Sequence, residues 1–147
     1  MATEPQLIQQ FACFAELTDG QTQAIAEISN SVCYLQDHIL FKEGDEARWL
    51  YLLIEGEVGV YFKNPKTGDS RVDTVSSEDV LGCSGLVPPH QYTATERCLV
   101  DVEVLEINMK ELKDLIHEDP QLGLKLQEHI IQTLNNRILK LRHRALR

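Results

Sequence analysis

The side chains able to do redox or metal chemistry are scattered along the chain. The four cysteines are at positions 13, 33, 83 and 98 and include no Cys-x-x-Cys pair. The histidines include no His-x-His pair; they are His38, His90, His117, His129 and His143. Neither set has the spacing of a zinc or iron–sulfur site. We therefore expect no metal site, and we interpret the cysteines as buried free thiols.

Motifs of known enzyme classes are missing from the sequence. It contains no phosphate-binding loop, no Gly-x-Ser-x-Gly elbow and no His-Glu-x-x-His pattern. A metal enzyme of the cupin type would also have a barrel of short strands, but it needs His and Glu ligands on neighbouring strands. Three of the five histidines fall on or beside predicted helices, so we predict a non-enzymatic protein.

Charge is distributed unevenly. The chain has 14 basic and 23 acidic residues, a net charge of −9. Its last eleven residues carry five basic side chains and no acidic one, so the rest of the chain is at −14. The acidic body argues against nucleic-acid binding by this chain. The basic end suits the C-terminus of a helix, where the helix dipole favours positive charge.

Length and hydrophobic patterning indicate one globular domain spanning residues 1–147. The longest uninterrupted apolar run is Trp49–Ile54, far shorter than the roughly 20 residues of a membrane-spanning helix. The first residues lack the basic start and apolar stretch of a secretory signal. These features predict a cytoplasmic protein with no membrane partner.

The elements follow a helix–strand–helix order along the chain. Apolar residues at helical spacing over Leu7–Phe14, and a capping box at Thr18–Gln21, predict N-terminal helices within residues 1–31. We expect the second helix to end at Asn30–Ser31. From 32 to 107 the period changes to two, with turn residues between short runs, which predicts a β-barrel of the jelly-roll type. The alternation shifts phase near Val104–Leu105, which suggests a β-bulge.

Residues 108–147 return to helical periodicity. Capping patterns begin helices at Asn108 and at Asp119–Pro120. An apolar stripe runs along the second of these helices, which at roughly 40 Å is longer than the barrel can cover. We therefore predict a homodimer through this helix, or, as the alternative, a monomer in which the stripe folds back on its own barrel. The predicted interface residues are Leu126, Ile130, Leu134, Ile138 and Leu141.

Several motifs together resemble the cyclic-nucleotide-binding domain family. They are the Gly44–Asp45 turn, the Tyr51 strand with Gly56 after it, Leu81–Gly82, and Thr93–Thr95. The agreement extends over about residues 7–140, and the sequence of Leu81–Thr95 is most similar to that of the bacterial Crp/Fnr-type branch.

The resemblance implies a jelly-roll fold with a phosphate-binding cassette, a short helix whose N-terminal amides hold a cyclic phosphate. It implies a cyclic nucleotide or another small anion as the ligand. The candidate ligand-binding residues are Leu81, Gly82, Cys83, Ser84, Gly85, Leu86, Gln91, Tyr92 and Thr93.

The sequence departs from the family pattern at both polar anchors. Cys83 stands where the family has a glutamate for the ribose hydroxyl, and Gln91 and Tyr92 stand where it has an arginine for the phosphate. Arg97 lies on the next strand and would have to break its alternation to reach the site. We therefore expect weak or no binding of cyclic AMP or cyclic GMP in the usual mode. Cys83 is interpreted as a small filler, with a reactive thiol as the alternative, and His90 as an exposed loop residue.

The predicted function is a small-molecule sensor or regulatory module. Crp/Fnr-type regulators place a helix-turn-helix domain after the long helix, and this chain stops at Arg147. We expect it to act through a partner. The alternative is the ligand-sensing part of a transcription regulator whose DNA-binding domain is missing from this chain.

Overall fold

The computed structural model describes residues 4–11, 14–77 and 79–146. Cys13 and Arg147 lie outside them. The helices are α1 (Pro5–Gln9), α2 (Asp19–Glu27), α3 (Met109–Glu118) and α4 (Pro120–Ala145). The strands are β1 (Ser29–Tyr34), β2 (Ile39–Phe41), β3 (Trp49–Glu55), β4 (Val58–Asn64), β5 (Gly68–Val75), β6 (Val80–Leu81), β7 (Thr95–Cys98) and β8 (Val102–Asn108).

The strands form two four-stranded antiparallel sheets. One sheet has the order β1-β8-β3-β6 and the other β2-β7-β4-β5. This confirms the predicted jelly-roll architecture with flanking helices. The first strand begins at Ser29, three residues before the predicted boundary.

Two apolar clusters place the sheets and helices in three layers. One cluster lies between the first sheet and the helices and includes Leu52 and Leu105. The other fills the space between the sheets and includes Leu53 and Val104. The central strands β3 and β8 are thus buried on both faces, which is why Trp49–Ile54 is an uninterrupted apolar run.

The predicted β-bulge in β8 is wrong. β8 pairs with β1 in unbroken register, from Val102 opposite Tyr34 to Ile107 opposite Ser29. The phase shift arises because alternate side chains of β8 enter the two different clusters. The register of the β3–β8 pair does shift, but the extra residue, Ile54, belongs to β3.

The predicted capping residues begin the helices as expected. Thr18 and Gln21 form a reciprocal capping box on α2, and the side chains of Asn108 and Asp119 accept hydrogen bonds from the first turns of α3 and α4. Two helix ends differ from prediction. α1 ends at Gln9, and α2 ends at Glu27 because Asn30 and its neighbours already pair with β8.

Helix α4 packs against the protein through its first half. Leu122, Leu126 and Ile130 are buried in the cluster under the helices. Farther along, apolar side chains become exposed, and Arg144 reaches back to β5, where its Nη1 lies 3.4 Å from Asp73 Oδ1. Within the described ranges, no helix is both long and apolar enough to cross a membrane.

Candidate functional site

The cassette residues form a tight turn after β6. Gly82 has φ +79° and precedes a four-residue 3-10 helix, Cys83–Leu86. A Cβ atom on Gly82 would lie 2.9 Å from the carbonyl oxygen of Trp49 and 3.1 Å from the ring of Tyr92. Both the left-handed conformation and the close approach therefore require glycine here. The turn holds Leu81 and Gly85 in the interior.

Cys83 presents a small neutral group where the family has a carboxylate. Its side chain is half-buried, and this burial raises the pKa of the thiol, although the positive charge of Arg137 opposes the shift. A raised thiol pKa favours the filler interpretation over the reactive one. Of the other described cysteines, Cys98 is buried but Cys33 is exposed, so the prediction of buried thiols is wrong for Cys33.

Tyr92 is part of the core. Its ring stacks on Phe41 with centroids 3.8 Å apart. Its hydroxyl donates to the carbonyl oxygen of Trp49 (2.8 Å) and accepts from the Trp49 amide (3.1 Å). The adjacent Gln91 is exposed and forms a β-bridge with Glu46. Neither side chain replaces the phosphate-binding arginine of the family.

The structure also shows the contacts of two further side chains near the cassette. Arg97 points away from the interior, donating from Nη2 to the Tyr61 hydroxyl (3.0 Å) with its guanidinium over the Tyr61 ring. His90 is half-buried, and its Nδ1 lies 2.8 Å from the carbonyl oxygen of Gly85. The prediction of an exposed loop histidine is therefore wrong, because His90 is held against the cassette turn.

A cavity of about 500 Å³ lies between the cassette turn, strands β2 and β7, and helix α4. Of the predicted ligand-binding residues, Gly82, Cys83, Ser84, Leu86 and Thr93 line it. The remaining lining residues are Phe41, Val87, Ala94, Glu96, Gln127, Ile130, Ile131, Leu134 and Arg137. Most of these walls are apolar. The described residues contain no cluster of three or more His, Cys, Asp or Glu side chains arranged to hold a metal ion.

Glu96 is the cavity residue that the sequence analysis missed. Its side chain is only 8% exposed, and its Oε1 has no hydrogen-bond partner among the described residues. Burial raises the pKa of this carboxyl to about 7, with added repulsion from Asp79 and Asp73 and opposition from Arg137. The sequence contained a signal for this position, because alternate side chains of a strand point to the same side of the sheet. Glu96 alternates with Ala94 and Cys98 and therefore points to their side, opposite to the exposed Arg97.

Arg137 brings a positive charge to the cavity from helix α4. Its Nη2 donates to the carbonyl oxygen of Val80 on β6 at 3.1 Å. No ion pair joins it to Glu96 within the described chain. The cavity thus has an acidic group on the barrel and a basic group on the helix that are not paired with each other.

The predicted dimer-interface residues divide into two groups along α4. Leu126 and Ile130 are buried in the core of their own chain. Leu134 is 40% exposed and also lines the cavity. Ile138 and Leu141 are 62% and 43% exposed. Of the five predicted interface residues, Leu134, Ile138 and Leu141 are therefore the ones open to a second copy.

Comparison with known proteins identifies several similar proteins. The sequence model of the cyclic nucleotide-binding domain matches residues 31–119. The cAMP-activated global transcriptional regulator CRP of Salmonella typhimurium is 26% identical over 119 residues, covering 78% of this chain and 57% of the regulator. The chain thus spans a little over half the length of this relative.

Solved structures share the fold. A protein of Geobacter metallireducens, described as a candidate cyclic nucleotide-binding protein, is 30% identical with a TM-score of 0.83, covering 92% of this chain and 98% of that one. The regulatory domain of Toxoplasma gondii PKA, solved with cAMP, has a TM-score of 0.75 at 12% identity, covering 90% and 48% of the two chains. The latter similarity is one of fold alone.

Proposed function

This chain belongs to the cyclic nucleotide-binding domain family, and we propose that it is a non-enzymatic small-molecule sensor in the cytoplasm, built as a single domain over residues 1–147. One observation carries the proposal. A cavity of about 500 Å³ lies between the cassette turn and α4. At the positions of the two anchors for a cyclic nucleotide, however, the chain has Cys83 and the core residue Tyr92.

Strong binding of cyclic AMP or cyclic GMP in the usual mode is not expected. Removing one partner of a buried charge pair costs about 2–5 kcal/mol, or roughly 30- to 5,000-fold in affinity. Here Tyr92 stands at the position of the phosphate-binding arginine, and its hydroxyl is bonded to the backbone of Trp49. The cassette helix is also a single 3-10 turn, with few free amides to offer an anion.

A bound ligand would act on α4 directly. Gln127, Ile131 and Leu134 line the cavity from this helix, so a molecule in the cavity contacts the helix and the barrel at once. A ligand that binds one position of α4 more tightly than another shifts the population of the two positions. The position of α4 is therefore the proposed output of the sensor.

A screen of small molecules by thermal shift, with cyclic nucleotides included, tests this function. A ligand at 100 times its dissociation constant stabilises the fold by about 2.7 kcal/mol. Thr93→Phe places a large side chain in the cavity and should abolish the stabilisation. The matched control is Thr67→Phe, in the β4–β5 turn, which should leave it intact. Equal stabilisation of both variants would contradict the proposed site.

We further propose a homodimer through the exposed half of α4. Because Arg144 pairs with Asp73, part of the basic charge of the helix end is compensated within each chain. Light scattering should give about twice the chain mass of 16.7 kDa. Replacing the exposed residues Ile138 and Leu141 by Asp should give a folded monomer, whereas the control Gln132→Asp should stay dimeric. A monomeric wild type would contradict this proposal.

The ligand-sensing part of a transcription regulator is the second candidate function. It is favoured by the match to the CRP of Salmonella typhimurium, which takes in 57% of that regulator. Reading the gene beyond the codon for Arg147 tests it. An in-frame helix-turn-helix segment would support this candidate, and a stop codon would exclude it.

A further inference from the structure

We propose that the cavity takes a small organic cation, a molecule with an apolar body and a protonated amine or amidine group that donates hydrogen bonds to Glu96. This inference rests on the proposed function, since it names the class of ligand for the same cavity. It differs from the family expectation of an anionic ligand in the sign of the charge that is recognised.

The carboxyl group of Glu96 lacks the donor that a buried carboxylate needs. Glu96 lies on the inward face of β7 and lines the cavity, and its Oε1 has no partner among the residues that the structure describes. A buried polar atom without a hydrogen bond is costly, so a ligand that donates to it gains the interaction without breaking another. Charged N–H groups form the strongest such bonds with a carboxylate.

The charged groups that the structure describes around Glu96 leave its carboxyl without a hydrogen-bond donor. Asp79 beside β6 and Asp73 on β5 both act on Glu96 with negative charge, and the uncharged Cys83 faces the same cavity. Arg137 on α4 opposes them with a positive charge, which after burial has the largest effect on the pKa of Glu96. Because Arg137 is bonded to the Val80 carbonyl and forms no ion pair with Glu96, it does not satisfy the carboxylate.

The rest of the cavity fits an apolar body. Phe41 and Leu86 line it from the barrel side, and Ile130 and Ile131 from α4. A pocket with mostly apolar walls and one or two fixed polar groups typically binds the body of a ligand by burial and orients it by the polar contacts. An aromatic ring with a short aminoalkyl chain has this shape and charge.

Three probes with the same aromatic body and different head groups test the inference. They are phenethylamine, phenethyl alcohol and hydrocinnamate, which carry a cation, a neutral hydroxyl and an anion. Each is titrated into the ¹⁵N-labelled full chain near pH 8, and the dissociation constant is read from the amide shifts. The amine should bind at least about tenfold more tightly than the alcohol, and the anion most weakly.

Glu96→Gln is the deciding variant and Glu57→Gln its control, because Glu57 is an exposed residue of the β3–β4 turn outside the cavity. The first should remove the preference for the amine and the second should keep it. Should Glu96→Gln fail to fold, the wild type supplies a second measurement. Its affinity for the amine should rise about tenfold between pH 6 and pH 8, because Glu96, with a pKa of about 7, becomes ionised.

Other outcomes overturn the inference and separate it from the proposed function. Equal affinity for the three probes, or tightest binding of the anion, refutes the cation but still supports a ligand cavity. No binding of any probe also refutes the cation. In that case the proposed function is still supported if the library screen yields a ligand whose binding is blocked by Thr93→Phe. If the screen yields no ligand, both the cation inference and the proposed function are refuted.

Discussion

Replacing Glu96 by glutamine should make the stability of the fold less dependent on pH. The substitution preserves the shape of the side chain and removes its titration. Burial raises the pKa of Glu96 from its ordinary value of 4.5 to about 7 in the folded protein, and Asp79 and Asp73 add to the shift against the pull of Arg137. The unfolded chain regains the ordinary value, so folding and protonation are linked at this residue.

The sign of the effect follows from the proton affinity of the two states. Because the folded chain holds the Glu96 proton more tightly, the wild type loses stability as the pH rises through the interval between 4.5 and about 7. A shift of one pKa unit corresponds to about 1.4 kcal/mol. The wild type should therefore lose about 3 kcal/mol relative to the variant between pH 4.5 and pH 8.5.

Urea denaturation at a series of pH values measures this difference. The free energy of unfolding of Glu96→Gln minus that of the wild type should grow with pH by about 3 kcal/mol, and the control Glu57→Gln should show no such growth. The buried amide of the glutamine adds an offset that is constant with pH, so the slope is the decisive quantity. A difference that stays constant across the series would refute the assigned burial of Glu96.

Two further substitutions test the packing of α3 on α4 and the hydrogen bonds of Tyr92 by the same denaturation assay. Gly123→Ala should destabilise the protein by about 1–3 kcal/mol, because its Cβ would lie 2.5 Å from Ile116 Cγ2. The control Gly20→Ala, which has open space around its Cβ, should be neutral or stabilising. Equal effects of the two substitutions would contradict the packing of α3 on α4. Tyr92→Phe should cost about 1–3 kcal/mol because the amide and carbonyl of Trp49 lose their partner; an unchanged stability would show that these bonds are not formed.

Local sequence signals predicted most of the fold. Thr18, Asn108 and Asp119 begin helices as expected because capping depends on residues within one turn. The β-region was recognised from its two-residue period. The bulge predicted at Val104–Leu105 was wrong because a two-residue alternation of apolar and polar residues is expected only in a strand buried on one face. β8 is buried on both faces, so consecutive apolar residues there need no bulge.

The site was predictable only in part. The cassette turn and its missing anchors are visible in the sequence, and Gly82, Ser84 and Thr93 do line the cavity. The contribution of α4 was not predictable, since Arg137 is distant from the cassette in sequence and reaches the cavity only through the packing of α4. Glu96 could have been predicted, because it is a charged residue that alternates with Ala94 and Cys98 and so points to the interior.

A calorimetric titration of the wild type with cyclic AMP at neutral pH tests the central claim most directly. With Cys83 and Tyr92 in place of the two anchors, we predict either no measurable heat of binding or a dissociation constant well above the micromolar range. A sub-micromolar dissociation constant would contradict the account, because the loss of the two anchors would then not have weakened binding of the nucleotide.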